Sequence, residues 1–218
     1  MPPLLYAAIK NHFETVQELL KHPNIDANVR ENFGETPLYC ASCHDGHYRV
    51  VRELLKNNKV DVNRKRIRGR AALEVASLRG HLKIVRELLK SCKLNVNVRN
   101  EYEDTALTLA SLFNRVNIVC ELINHNNIDV NHANWISDTA HILATKKSDN
   151  WDVVRELIRQ KHVDLNSQGR FVYTVLMWAC LKGKLDVVST LLKHETLDPN
   201  FKNTAGSTAL NMSAIVDG

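Results

Sequence analysis

The chain has 218 residues, 44% hydrophobic, 24% charged and 6% aromatic, a composition that excludes a disordered chain and suits one elongated domain or two compact ones. The longest uncharged stretches, such as Phe171 to Leu181, fall far short of the ~20 apolar residues that cross a bilayer, and the opening MPPLLYAAIKNHFE lacks the basic-then-apolar order of a secretory signal. The net charge of +5 is local: residues 1–109 carry 18 Lys+Arg against 13 Asp+Glu and residues 110–218 carry 11 against 11, unlike a chain basic throughout that grips nucleic acid or an anionic membrane. Five cysteines without framework spacing fit a reducing compartment, so a cytoplasmic location is expected, with the nucleus as a second expectation.

Taken in chain order, the sequence repeats one plan. The first unit begins at Pro2-Pro3-Leu4-Leu5, runs to Leu19-Leu20 and turns at Asp26-Ala27-Asn28. The second opens at Thr36-Pro37-Leu38-Tyr39-Cys40-Ala41, reaches Leu54-Leu55 and turns at Asp61-Val62-Asn63. The third follows with Ala71-Ala72-Leu73-Glu74-Val75-Ala76, Leu88-Leu89 and Asn95-Val96-Asn97, and the fourth with Thr105-Ala106-Leu107-Thr108-Leu109-Ala110, Leu122-Ile123 and Asp129-Val130-Asn131. The fifth reads Thr139-Ala140-His141-Ile142-Leu143-Ala144, Leu157-Ile158, Asp164-Leu165-Asn166. The sixth reads Thr174-Val175-Leu176-Met177-Trp178-Ala179, Leu191-Leu192, Asp198-Pro199-Asn200, and a seventh starts at Thr208-Ala209-Leu210. Three markers share one period of 34 or 35 residues, which is the signature of a tandem-repeat architecture. In each unit the Thr is predicted to cap a short first helix with Leu and Ala on one face, and the Val-Val and Leu-Leu pattern a second helix. The Asp-x-Asn turn closes the unit with side chains suited to backbone bonding.

These motifs, best seen in Gly34 to Ala41 and in Gly80-His81-Leu82-Lys83-Ile84-Val85-Arg86-Glu87-Leu88-Leu89, resemble the ankyrin-repeat family over nearly the whole chain. The resemblance implies an all-α solenoid of stacked helix-turn-helix units with β-hairpin fingers. It forms a single domain over 1–218, with units at approximately 1–30, 31–65, 66–99, 100–133, 134–168 and 169–202 and a partial unit at 203–218. It also implies the turn asparagines Asn63, Asn131 and Asn166 as hydroxylation targets.

Departures from the pattern are specific. Single extra residues fall near Asp45 and near Ser148, in turns that tolerate them. His141 occupies a Leu slot, where a hydrogen-bonded core histidine is the first expectation and a pH-sensitive or ligand role the second. The motif histidine is replaced by Leu5, Tyr39, Glu74, Thr108, Ile142 and Met177, which predicts weaker hydrogen bonding at the helix starts. The closing TALNMSAIV is apolar for a cap that should face water, so the chain is expected to be a segment of a longer protein.

Little here points to catalysis. Cys40-Ala41-Ser42-Cys43-His44 matches the c-type haem attachment string and His47 follows at metal-ligand spacing. Yet Cys40 belongs to an apolar helix while Cys43 and His44 fall in the following turn, so neither haem nor zinc is expected. No phosphate-cradling or nucleophile-elbow motif occurs, and 8 glycines leave little material for one. The expected protein has no enzymatic activity and no cofactor.

The basic run Asn63 to Leu73 then has an address: Arg64 to Arg70 is the finger between two units, with Gly69 supplying its turn. Each finger offers a large apolar residue, among them Phe33, Tyr102, Trp135, Phe171 and Tyr173. Cations flank them at Arg66, Arg68, Arg70, Arg79, Lys147, Arg170 and Lys182, and Phe113 ends a first helix on the same side. Exposed aromatics and arginine make binding hot spots. The resemblance places them on a concave face that takes a protein or peptide ligand with apolar and acidic residues. Glu35, Glu101, Glu103, Asp104 and Asp138 in the same fingers would repel phosphate, so nucleic acid is not the expected partner. A monomeric interaction scaffold without membrane attachment is the reading. The alternative is an adaptor or targeting segment of a larger protein, such as a pathogen or symbiont effector, whose activity lies in another domain.

Overall fold

The computed structural model describes residues 1–67, 69–146 and 151–216, with the backbone alone for 213–216. Among the described residues six helix pairs follow one another: α1 (Pro3–Ile9) and α2 (Phe13–Leu20), α3 (Pro37–Ser42) and α4 (Tyr48–Lys56), α5 (Ala72–Arg79) and α6 (Leu82–Leu89), α7 (Ala106–Leu112) and α8 (Val116–Ile123), α9 (Ala140–Lys146) and α10 (Trp151–Ile158), α11 (Val175–Leu181) and α12 (Leu185–Leu191). A further helix, α13 (Ala209–Val216), starts a seventh unit. First helices pack on first helices and second on second along the whole stack. Helices this short do not persist alone in water, so stacking is what keeps them folded.

The helix starts follow the sequence reading in part. Thr36, Thr105 and Thr174 each accept, through Oγ1, the backbone N–H three residues on, at 3.2, 3.3 and 3.3 Å. Where Ala71 supplies no hydroxyl, the Glu74 side chain reaches back to accept the Ala71 N–H at 2.7 Å. Thr108 does the same for Thr105 at 2.8 Å. Two of the residues that replace the motif histidine therefore restore a hydrogen bond at the helix start.

The core is a double layer running the length of the stack. Ala7, Ala41, Ala76, Ala110, Ala144 and Ala179 occupy the same slot in successive units, and all are buried. A larger side chain there would hold neighbouring first helices apart. From the second helices Leu54, Leu88, Leu122, Leu157 and Leu191 close the other side. His141, alone in a row of leucines, is fully buried. The hydroxyl of Thr139 lies 3.2 Å from its ring nitrogens and that of Ser167 3.1 Å from Nε2. Burial brings its pKa down to about 4, so the ring is a neutral, hydrogen-bonded core residue at neutral pH.

Every turn after a second helix is built alike. The first carboxylate or amide of the Asp-x-Asn marker accepts the N–H of the marker's Asn, at 2.9 Å in the first unit and 3.1 Å in the second. The same bond recurs in the other four units. That Asn then bridges to the next unit. Asn97 donates Nδ2 to the Asn127 carbonyl at 2.7 Å and accepts the Asp129 N–H at 3.0 Å, and Asn28, Asn63, Asn131 and Asn166 make the same pair of bonds. The amide thus stitches two units with one side chain.

The fingers depart from the expected β-hairpins. Among the described residues no strand ladder forms, and one isolated antiparallel bridge, Ala133 with Thr139, is present. The fingers at 31–35, 66–70, 100–104 and 134–138 are five-residue loops with two backbone bonds: the first N–H donates to the fifth carbonyl, as Arg66 to Arg70 at 3.0 Å and Asn100 to Asp104 at 2.9 Å, and the fourth N–H donates back to the first carbonyl, as Gly69 to Arg66 at 3.0 Å and Glu103 to Asn100 at 3.1 Å. The sixth finger is closed by the second kind of bond, Val172 N–H to Gly169 carbonyl at 2.7 Å. The extra residue near Asp45 falls in an exposed turn at Gly46; that near Ser148 lies outside the described residues.

The ladder makes a direct prediction. Asn97→Ala removes two bonds between units and should lower stability by about 2 kcal/mol, read as a lower urea midpoint at unchanged slope.

Candidate protein-interaction face

The five-residue loop explains why the fingertips are exposed. With the closing residues held at the base, the two central side chains project outward, and these positions hold Phe33, Ile67, Tyr102, Trp135 and Phe171, which are 47–67% exposed. The fingers lean on one another through their backbones: the Ile67 N–H donates to the Phe33 carbonyl at 3.0 Å and the Trp135 N–H to the Tyr102 carbonyl at 3.1 Å. The Tyr102 and Trp135 rings lie 6.2 Å apart. A tight turn of this kind needs one residue at positive φ, supplied by Gly34 and Gly69 in the second and third units. In the sixth it is Val172, at φ 60°, a conformation that costs a β-branched residue on the order of 1–2 kcal/mol.

The cations divide into two groups. Arg66 is a strut within the protein: Nη1 donates to Glu35 Oε1 at 2.9 Å and to the Tyr39 hydroxyl at 3.4 Å, and Nε to the Ile67 carbonyl at 3.0 Å. Its guanidinium lies 5.7 Å from the centre of the Tyr39 ring. Burial, first of all, pushes the Tyr39 hydroxyl up to about 12. Arg79 keeps an exposed side chain but donates to the Cys43 carbonyl at 3.0 Å, and Arg70 is half-buried. Arg170 and Lys182 are exposed, as is Phe113. Tyr173 does not stand with the fingertips; it is half-buried and meets Trp178 edge-on at 5.3 Å, packed against the core. Arg68 and Lys147 lie outside the described residues.

Two features of this face had no signal in the repeat pattern. Lys146 ends α9 with its Nζ 5.1 Å from the centre of the Phe171 ring. It is also ion-paired to the fully buried Asp138, whose other oxygen accepts the Arg170 N–H at 3.0 Å. Gly169 makes room for this, since a Cβ there would overlap Asp138 and Ile142. The second feature is Glu74, buried at a finger base with Oε1 unpartnered. Burial outweighs the pull of the Ala71 N–H, Lys65 and Arg70 and raises its pKa to about 8, so the acid is protonated at neutral pH. Among the described residues no three His, Cys, Asp or Glu side chains converge as a metal-holding group. Burial raises the pKa of both the Cys40 and the Cys43 thiol.

Stacked helix pairs presenting one apolar side chain per finger define a repeat scaffold rather than an enclosed active site. The chain belongs to the ankyrin-repeat family: the family model "Ankyrin repeats (3 copies)" matches residues 1–66, 58–134 and 140–218. Among solved structures, the ankyrin repeat domain of Bcl-3, described as a unique member of the IkappaB protein family, superposes with a TM-score of 0.84 at 22% identity, covering 100% of this chain and 99% of that one. The ankyrin repeat protein EF0377 superposes with a TM-score of 0.79 at 22% identity, covering 88% of this chain and 98% of that one. No curated protein sequence matches. At such identity these likenesses establish the fold alone. Ankyrin repeats are, as a class, protein–protein interaction modules, and the fold is a non-enzymatic scaffold. No helix among the described residues is long and apolar enough to cross a membrane.

Arg66→Glu should lower the melting temperature, because it sets a carboxylate against Glu35, whereas Arg170→Glu should leave it within error; equal effects would refute the division of the cations. For Glu74 the folded pKa lies above the unfolded one, so its contribution to stability is present below about 4.5 and is lost as pH rises through about 8. Glu74→Gln keeps an acceptor for the Ala71 N–H, and its advantage over the parent should grow to on the order of 4 kcal/mol between pH 5 and pH 9, checked by chemical denaturation at both pH values.

Proposed function

We propose that the chain is a non-catalytic scaffold that holds a protein or peptide ligand on the concave face formed by its fingers and first helices. The observation that carries this reading is the row of exposed apolar fingertips, one in each of five consecutive units. Nothing in the turn geometry calls for them, and leaving them in water is unfavourable. Rings such as Tyr102 and Trp135 lose little conformational freedom when covered, which suits them as anchors. Arg79, Arg170 and Lys182, exposed beside them, favour a ligand with acidic residues between its apolar ones, charge guiding encounter and rings holding the complex. Glu101, Glu103 and Asp104 in the fourth finger disfavour a phosphate backbone. We take the scaffold to act as a monomer in the cytoplasm, with the nucleus as the second location.

A second reading, an adaptor segment of a larger protein, draws on Leu185 on α12 and Leu192 just after it, which stand exposed. Their counterparts Leu82 and Leu89 on α6 are packed against the core.

Combining Tyr102→Ala with Trp135→Ala tests the first reading. Circular dichroism and melting should stay close to the parent while capture of the ligand drops by at least about tenfold, the equivalent of 1.4 kcal/mol. A variant that unfolds would show that the rings pack between units, and one that binds as before would move the site elsewhere.

A further inference from the structure

We propose that a cleft at the C-terminal ends of the second helices of the second and third units binds a small amphipathic anion: an apolar body bearing one carboxylate, sulfonate or phosphate. The inference is independent of the fingertip reading, since the residues lining the cleft include none of the five fingertips. The C-terminal ends of α4 and α6 and the turns that follow them enclose a cavity of about 390 Å³. That size lies within the range of small-ligand sites. Leu55, Val60 and Val62 line it; Val60 and Val62 are buried and Leu55 is half-buried against the core, so its apolar lining is part of the rigid stack.

The rim is cationic beyond what the fold needs. Arg52, Lys56, Lys90 and Lys93 line the cleft together with one carboxylate, Glu87. Arg52 meets Glu87 through two bonds, at 3.0 and 2.8 Å, and Lys90 meets the same carboxylate at 2.9 Å. The Arg52 hydrogen bond, ahead of the others, holds the acid down at about 2, so Glu87 is ionised and serves two cations. Lys56 is paired with Glu53 at 2.8 Å. Among the described residues Lys93 meets no carboxylate: its Nζ donates to the backbone carbonyl of Asn58 at 2.6 Å, which satisfies one donor without supplying a counter-charge.

A bland account exists for part of this. Lysines at the last turn of a helix complement its dipole, and Lys56 and Lys90 sit at the ends of α4 and α6. Lys93 lies beyond α6, within the turn, and escapes that account. The preceding unit repeats the device, with Lys59 donating to the Pro23 carbonyl at 3.2 Å, but there the surrounding walls are more polar and the cavity smaller, about 340 Å³. An anion over the Lys93 and Lys90 ammonium groups, with its apolar part on Leu55, Val60 and Val62, would satisfy both halves of the cleft. Neither a bare inorganic anion nor a neutral hydrocarbon would.

Cys92 supplies a local reporter. It is exposed and lines the cleft, whereas the other four cysteines are buried or half-buried. The experiment titrates the folded full chain with 8-anilinonaphthalene-1-sulfonate, following fluorescence, and separately measures the rate at which iodoacetamide alkylates Cys92. Expected are saturable binding at one site, weakening by at least about tenfold in Lys93→Glu, a clear loss also in Lys93→Gln, and slower alkylation of Cys92 when the probe is saturating. Trp135→Ala should bind the probe like the parent, which separates this cleft from the fingertips. Binding that does not saturate, that survives both Lys93 variants in chains with parental melting, or that leaves Cys92 alkylation unchanged would overturn the proposal.

Discussion

One amide side chain per unit holds this molecule together along its length. The Asn of each of the first five Asp-x-Asn turns donates to a carbonyl and accepts an N–H of the next turn, so both ends of the amide are used and the distance between neighbouring turns is set to within a hydrogen bond. A hydrophobic face alone would leave successive units free to slide or splay, because burial is roughly proportional to area and indifferent to direction. The ladder supplies the direction. With the turns locked, the alanine row brings the first helices close, the leucine row fills the space behind, and the fingers emerge at one spacing.

Three polar groups inside this stack answer local demands. His141 takes a leucine's place because Thr139 and Ser167 offer it partners. Asp138 is buried because Lys146 and the Arg170 N–H meet it and Gly169 leaves it room. Glu74 stands in for a missing capping hydroxyl, with one oxygen unpartnered and its proton retained. These groups pull in opposite directions with pH: acid works against neutral His141, and alkali against protonated Glu74. Two units of one scaffold thus carry opposite sensitivities on the same kind of helix.

The division of positive charge changes how the two faces of the molecule are understood. The basic run around Arg64 to Arg70 is the most conspicuous in the chain, yet Arg66 spends its donors on Glu35, Tyr39 and its own finger. Between the second and third units, lysines that look unremarkable in the sequence surround an apolar cleft with one shared carboxylate. An uncompensated charge beside apolar surface says more about a ligand than a run of charges does, since solvent and nearby acids neutralise most runs.

The repeat period, the family, the helix pairs and the core slots were all legible in the sequence, because each rests on local rules: Thr caps a helix, Asp-x-Asn turns, and a small residue marks close approach. The exposed apolar tips of Phe33, Tyr102, Trp135 and Phe171 were legible for the same reason, once the finger's position in the unit was known. What the sequence could not decide is which partner each polar side chain chooses, since several of those partners lie some 30 residues away. Arg66 meeting Glu35 and the Arg170 N–H meeting Asp138 depend on how two units face each other, while Lys146 meeting Asp138 and Tyr173 turning in to Trp178, each within one unit, depend on burial that no local rule sets. The same holds for the fingers, whose tight five-residue loops replaced the expected hairpin ladder. Propensity and periodicity act within a unit and can be read from it; charge pairing, burial of an acid and the shape of a cleft arise between units, and only the stacked structure settles them.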